Sequence, residues 1–161
     1  MAKAAERRPR ITVIDDHQEF LDLMQELLAP AYDVVTFSGH DLSPDDILDS
    51  RPDLLIVDLL LDRRDLQGWD VVTLVGAHRH LRTVPIIVCS ADLRALADHS
   101  AAIGSGPMAF LAKPFTLDTL SALVKRGLTA GFDGYAEADG AAHLGQGGGA
   151  SDPERGAAAA S

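Results

Sequence analysis

The sequence predicts an α/β protein, a doubly wound parallel sheet of five strands with five helices, and three observations carry that reading. Five short apolar segments alternate with five amphipathic ones, the apolar segments are continuous rather than alternating, and the connections between them are short. Continuous apolar strands are covered on both faces, as in a parallel sheet. A regular strand, helix, strand order implies right-handed crossovers with helices on both faces. Ligands of such folds collect beyond the carboxyl ends of the strands.

The strands are expected at Ile11 to Ile14, Val34 to Phe37, Leu54 to Val57, Pro85 to Cys89 and Met108 to Leu111, each rich in β-branched or large apolar residues. Between the first two, Glu19 to Leu28 sets Phe20, Met24, Leu27 and Leu28 at helical spacing. Ser43, Pro44 and Asp46 supply an N-cap, a first-turn proline and a first-turn acid for a short second helix. The third helix is read over Trp69 to His80 through Val72, Val75 and Gly76, and the fourth over Asp92 to Ile103 through Leu93, Leu96 and Ala97. Thr116 caps the fifth, whose stripe is Leu117, Leu120, Val124 and Leu128.

A chain of 161 residues suits one domain plus an appendage. The expected division is a basic arm at 1–9, a domain at 10–129 and a tail at 130–161. The tail is dominated by Gly and Ala and carries net negative charge. It is expected to be disordered, because such composition buries too little surface to offset ordering entropy, with Phe132 and Tyr135 as the only docking anchors. The apolar runs are far shorter than a membrane span, and MAKAAERRPR lacks the apolar stretch of a secretory signal. A cytoplasmic protein with no membrane partner is expected. The net charge of −10 opposes nonspecific attraction to nucleic acid or anionic lipid. The single cysteine, Cys89, lies in an apolar run and reads as a small buried hydrophobe.

The stretch IVDLLLDRRDLQGWD, Ile56 to Asp70, ends an apolar run with Asp58. Asp15 and Asp16 follow the first strand, Ser90 ends the fourth, and Lys113 with Pro114 follows the fifth. Taken singly, these residues read as caps, turn residues or solvated charges. With the strands all parallel, their side chains meet at one sheet edge. Three carboxylates brought together repel unless a cation intervenes. A hard divalent ion resolves the repulsion, and Mg²⁺ takes one or two carboxylates while keeping waters and phosphate oxygens. The natural substrate is therefore a phosphoryl group.

From about Arg10 to Leu128 the chain resembles the receiver domain of bacterial two-component response regulators, on VIDDH (Val13 to His17), VDLLL (Val57 to Leu61), CSA (Cys89 to Ala91) and FLAKPF (Phe110 to Phe115). The resemblance implies a flavodoxin-like fold, with residues 10–129 as the receiver domain. It implies that Asp58 is the nucleophile that becomes an acyl phosphate, and that Mg²⁺ is held by Asp16 directly, by Asp15 through water, by Asp58, and by the backbone carbonyl of Leu60. Lys113 matches the lysine that pairs with Asp58 and then with the phosphoryl oxygens. Ser90 matches the hydroxyl that turns to the phosphoryl group, Phe110 the switch aromatic, and Pro114 a proline after a cis peptide. The loop after Asp58 is about two residues longer than the family pattern and lacks its usual proline, while Gly68 keeps the position of the family glycine. Arg63 and Arg64 read as solvated loop charges.

Three functions compete. The first is a single-domain receiver that takes phosphate from a histidine kinase or small phosphodonor and signals by phosphorylation-dependent protein binding. The second is a phosphorelay intermediate passing phosphate to a histidine phosphotransfer protein. The third, a phosphatase of the haloacid dehalogenase type, fails because its second acid, two positions after the nucleophile, is replaced by Leu60. The first reading is favoured, with no catalysis beyond the domain's own phosphorylation and dephosphorylation. No helix-turn-helix pattern follows Leu128, so no direct DNA binding is expected. His17, His40, His78, His80, His99 and His143 show no ligand spacing, and His78 and His80 do not share a helix face.

Overall fold

The structure, a computed structural model, describes residues 6–38, 42–59, 68–91, 107–132 and 135–137. Within them, β1 (Arg10–Ile14), α1 (Gln18–Leu28), β2 (Asp33–Phe37), α2 (Pro44–Ser50), β3 (Leu54–Asp58), α3 (Gly68–Ala77), β4 (Ile86–Ser90), β5 (Met108–Ala112), α4 (Leu117–Thr129) and β6 (Tyr135–Glu137) follow in order. The strands form one sheet of order β2-β1-β3-β4-β5-β6, with every pair parallel. The expected doubly wound parallel sheet is present, and a short sixth strand extends it. The expected helix Asp92 to Ile103 and the loop residues Leu60, Arg63 and Arg64 lie outside the described residues.

The strands carry apolar side chains on both faces, and the two-residue period sorts them into two cores. Ile11, Val13, Leu54, Ile56, Ile87, Cys89, Ala109 and Leu111 pack with α1 and α4. Ile14, Leu55, Val57, Ile86, Val88, Met108 and Phe110 pack with Ile47 of α2 and Val71, Val72 and Val75 of α3. Neither face of the central strands meets water, which is why their sequences read as unbroken apolar runs.

Local signals set the helix starts. Ser43 caps α2: its side chain accepts from the Asp46 N–H, and the Asp46 carboxylate accepts from the Ser43 backbone N–H at 2.8 Å. Thr116 caps α4 through the Thr119 N–H. Helix α3 ends at Ala77 instead of His80, because the His78 N–H divides between the Leu74 and Val75 carbonyls and the chain then turns. Outside the helix, His78 and His80 come together, with ring centroids 5.7 Å apart. In α4 the apolar stripe is rotated from the expected one. Leu117 is exposed, while Leu123 and Gly127 are buried beside Leu120 and Val124.

The fold also continues past the expected boundary at residue 129. Gly131 takes φ +72, a left-handed turn that costs glycine little. The turn carries Phe132 beneath α4, where it is buried against the core. Gly127 makes the room: a Cβ there would stand 2.7 Å from Leu54 Cδ1 and 2.9 Å from Phe132 Cζ. Tyr135–Glu137 then pairs with Met108–Phe110 on the outer edge of β5. At the amino-terminal ends of the strands, the basic arm also docks. Arg7 makes a two-pronged contact with Asp53 at 2.9 Å, and Arg8 donates to the Pro30 carbonyl.

Candidate functional site

The carboxyl ends of β1, β3, β4 and β5 converge as the sequence pattern requires. Asp15 leaves β1 with its N–H on the Phe37 carbonyl at 3.2 Å, and its side chain is fully buried. Its Oδ1 accepts from the His17 backbone N–H at 2.8 Å, turning the chain into α1. Asp58 is the last residue of β3 and 6 % exposed. Beside it, the Leu59 N–H reaches the Cys89 carbonyl at 2.9 Å, which holds the end of β3 against β4.

Lys113 ties these ends together. Its backbone N–H donates to the Ser90 carbonyl at 2.8 Å, and the Lys113–Pro114 peptide is cis. Its Nζ lies 2.9 Å from Asp15 Oδ2 and 3.1 Å from Asp58 Oδ2. The ammonium also sits 4.1 Å from the centre of the Phe20 ring, which meets Phe115 edge-on at 6.1 Å. An aromatic face of this kind attracts a partly desolvated cation. Phe20 thus serves the site as well as the core.

The electrostatics follow from these contacts. Burial acts to raise the Asp15 pKa, but the hydrogen bonds from Lys113 and the His17 backbone, with the Lys113 charge, outweigh it and hold the carboxyl below its ordinary range. Burial acts to lower the Lys113 pKa, and the Asp15 hydrogen bond with the two carboxylate charges overcomes it, so the ammonium is held more firmly than usual. His17 is raised by its hydrogen bond to Asp15 and by the charges of Asp16 and Asp15. Cys89, fully buried, has its thiol pushed up to about 12, chiefly by burial.

Four of the residues singled out from the sequence, Asp15, Asp16, Asp58 and Lys113, therefore stand in one cluster. Ser90 is buried at the end of β4, opposite Ala112 of β5. Phe110 is buried in β5 opposite Val88. The Leu60 carbonyl falls outside the described residues. The reading that no histidine has ligand spacing is corrected by His17. One ligand atom from each of Asp15, Asp16, His17 and Asp58 lies within 4.8 Å of all the others. The signal available was adjacency, since His17 directly follows the acid pair at the strand end. Among the described residues no helix is long and apolar enough to cross a membrane.

Comparison with known proteins agrees with this architecture. The family model described as the response regulator receiver domain matches residues 11–125. No curated protein matches the chain. Among solved structures, the chain is similar to the signal receiver domain of a signal transduction histidine kinase from Syntrophus aciditrophicus, at 22 % identity and a TM-score of 0.64, over 76 % of this chain and 91 % of that one. It is similar also to the chemotaxis protein CheY4 of Vibrio cholerae, at 21 % identity and a TM-score of 0.63, over 73 % of this chain and 97 % of that one. The response regulator TrrA of Thermotoga maritima, solved in complex with Mg(2+)-BeF, gives 23 % identity and a TM-score of 0.61 over 73 % of this chain and 97 % of that one. At these identities the structural likeness speaks to the fold. The family match, however, runs through more than two thirds of the chain and spans every strand end that contributes to the cluster, so this chain belongs to the response regulator receiver domain family.

Proposed function

We propose that Asp58 accepts a phosphoryl group from the phosphohistidine of a histidine kinase, or from a small phosphodonor, in a Mg²⁺-dependent reaction, and that the phosphorylated domain signals by binding another protein. The observation that carries the reading is the placement of Asp58 at a buried strand end, 3.1 Å from Lys113 and within a cluster of acids. A carboxylate held there is rigid and ready to attack.

The donor set suits the ion. Asp15, Asp16 and Asp58 offer carboxylate oxygens in close proximity, the hard ligands that Mg²⁺ prefers. Asp16 and Asp58 would hold the ion directly, Asp15 through water, and the Leu60 carbonyl would complete the set. A bound ion would offset the carboxylate charge and favour phosphate oxygens at the site. In the transfer, an Asp58 oxygen attacks phosphorus, the bond from phosphorus to the donor nitrogen breaks, and that nitrogen keeps the electron pair. The product is a mixed anhydride on Asp58. Lys113, already between Asp15 and Asp58, supplies positive charge to the phosphoryl oxygens. The Ser90 hydroxyl, at the end of β4, would donate to the same group, and Phe110, on the adjoining strand, is the aromatic expected to move behind it.

Incubation with acetyl phosphate or phosphoramidate and Mg²⁺, read by intact mass spectrometry, tests the assignment. The expected product is one base-labile phosphoryl group per chain, absent in Asp58→Asn and absent with chelator. Equal incorporation in Asp58→Asn would remove Asp58 from the role, and indifference to chelator would remove the metal.

A further inference from the structure

We propose that His17 is a ligand of the divalent ion at this site and shifts its preference from Mg²⁺ towards Mn²⁺, an inference that rests on the metal-dependent reading above. The imidazole Nδ1 lies 2.8 Å from Asp16 Oδ1 and 3.1 Å from Asp15 Oδ1. The His17 backbone N–H is bound to the same Asp15 oxygen, so main chain and ring are both drawn to the acid pair. His17 occupies the N-cap of α1 at φ −93 and ψ 109, yet its side chain makes no capping hydrogen bond. Its ring is turned to the carboxylates rather than to the helix.

The spacing suits one shared ion. Metal–ligand distances of about 2.1 Å put ligand atoms on opposite sides of an ion roughly 4.2 Å apart, and all four candidate atoms already lie within 4.8 Å of one another. A small contraction would bring the Asp16, His17 and Asp58 atoms to coordinating distance, with Asp15 reached through water. The positions differ in a useful way: the Asp15 and Asp16 side chains are buried, whereas His17 is 71 % exposed and borders the solvent side. An exposed imidazole can join an ion without the desolvation cost that a buried ligand carries.

The chemistry gives the selectivity. Mg²⁺ favours oxygen and keeps its waters, so it gains little from an imidazole. First-row transition ions accept imidazole nitrogen readily, so one nitrogen in a carboxylate set raises their affinity relative to Mg²⁺. The competing role for His17 is that of a counter-charge to the two acids. In that case a bound ion displaces the ring.

The test uses the full chain with Mn²⁺ alone as the probe. Affinity is taken from the electron paramagnetic resonance signal of free Mn²⁺, with Mg²⁺ as competitor, and electron spin-echo modulation reports nitrogen at the bound ion. ¹⁵N-histidine labelling identifies that nitrogen as imidazole. Expected is imidazole modulation in the wild type, lost in His17→Gln and His17→Ala, with the Mn²⁺-over-Mg²⁺ preference falling about tenfold. Mn²⁺ that binds the wild type without imidazole modulation, at the affinity seen in His17→Gln, overturns the inference and leaves the metal reading standing. Failure of Mn²⁺ and Mg²⁺ to bind the wild type at all, with Asp16→Asn indistinguishable from it, overturns both.

Discussion

Replacing Gly127 by alanine removes a glycine from the interior of α4, and on an open helix that change stabilises by roughly 1 kcal/mol. Here the opposite sign is expected. The new Cβ would stand 2.7 Å from Leu54 Cδ1 and 2.9 and 3.2 Å from two carbons of the Phe132 ring. Leu54 has no exposed surface and Phe132 only 4 %, so neither has open space to yield into. Overpacking of this kind costs about 1–3 kcal/mol. Set against the helix-propensity gain, the net loss is about 0–2 kcal/mol. Gly76→Ala is the matched control, since nothing lies within 4 Å of a Cβ at that exposed position of α3. It should gain up to about 1 kcal/mol, leaving the two variants about 1–3 kcal/mol apart. Urea unfolding with a shared slope measures the gap, and the melting temperatures should differ by several degrees, at about 4 °C per kcal/mol. Phe132→Ala, a large-to-small core change, should itself cost about 3–5 kcal/mol. In that background Gly127→Ala should cost less, because only the Leu54 contact remains. A Gly127→Ala variant as stable as Gly76→Ala, with Phe132→Ala near wild type, would refute the packing of Phe132 beneath α4.

Truncation after residue 130 should lower stability by an amount comparable to Phe132→Ala, since it removes the buried ring and β6 together, whereas a chain ending at 137 should melt like the full one; calorimetry on the two decides it. Cys89 should resist iodoacetamide at pH 8 and become reactive on unfolding, because burial holds its thiol far above that pH. The same shift has a defined sign: the folded state keeps the proton, so this stabilisation is complete below the ordinary value of 9.0 and is lost as pH climbs from there towards about 12. A stability that stays flat over that alkaline window in wild type and Cys89→Ala alike would contradict it.

What could be read from the chain follows a physical division. Strand ends were legible because an apolar run buried on both faces has few ways to stop, and a polar residue such as Asp58 or Ser90 marks the place. The Ser43 and Thr116 caps were legible because a hydroxyl before a helical stripe has a specific bonding partner. Phe132 is legible as a docking anchor, but its mode of docking is not, because its burial depends on a missing side chain at Gly127 and a turn at Gly131, and composition averages both into a tail. The closeness of His17 to the acids is hidden from spacing rules for a related reason: its neighbours are adjacent residues brought round by a turn at the end of β1.

The same geometry argues for where a phosphoryl signal would leave the site. Lys113 contacts the acids through its ammonium and the Ser90 carbonyl through its backbone, so one residue joins the cluster to the β4–β5 junction. Phe110 lies three residues earlier in β5, paired with Val88 on one side and Glu137 of β6 on the other. A change in β5 has a route out of the cluster, because β5 is bonded along both edges. A phosphoryl group shifts such an element only if it bonds one arrangement better than the other, and on the proposed function Lys113 and Ser90 would make that difference. The outer strand β6 then lies where the change would emerge, which makes β5–β6 pairing, followed by amide exchange with and without beryllofluoride, the direct readout of the proposed switch. Exchange changes confined to the loops around Asp58 would show that the cluster and the sheet edge are not coupled.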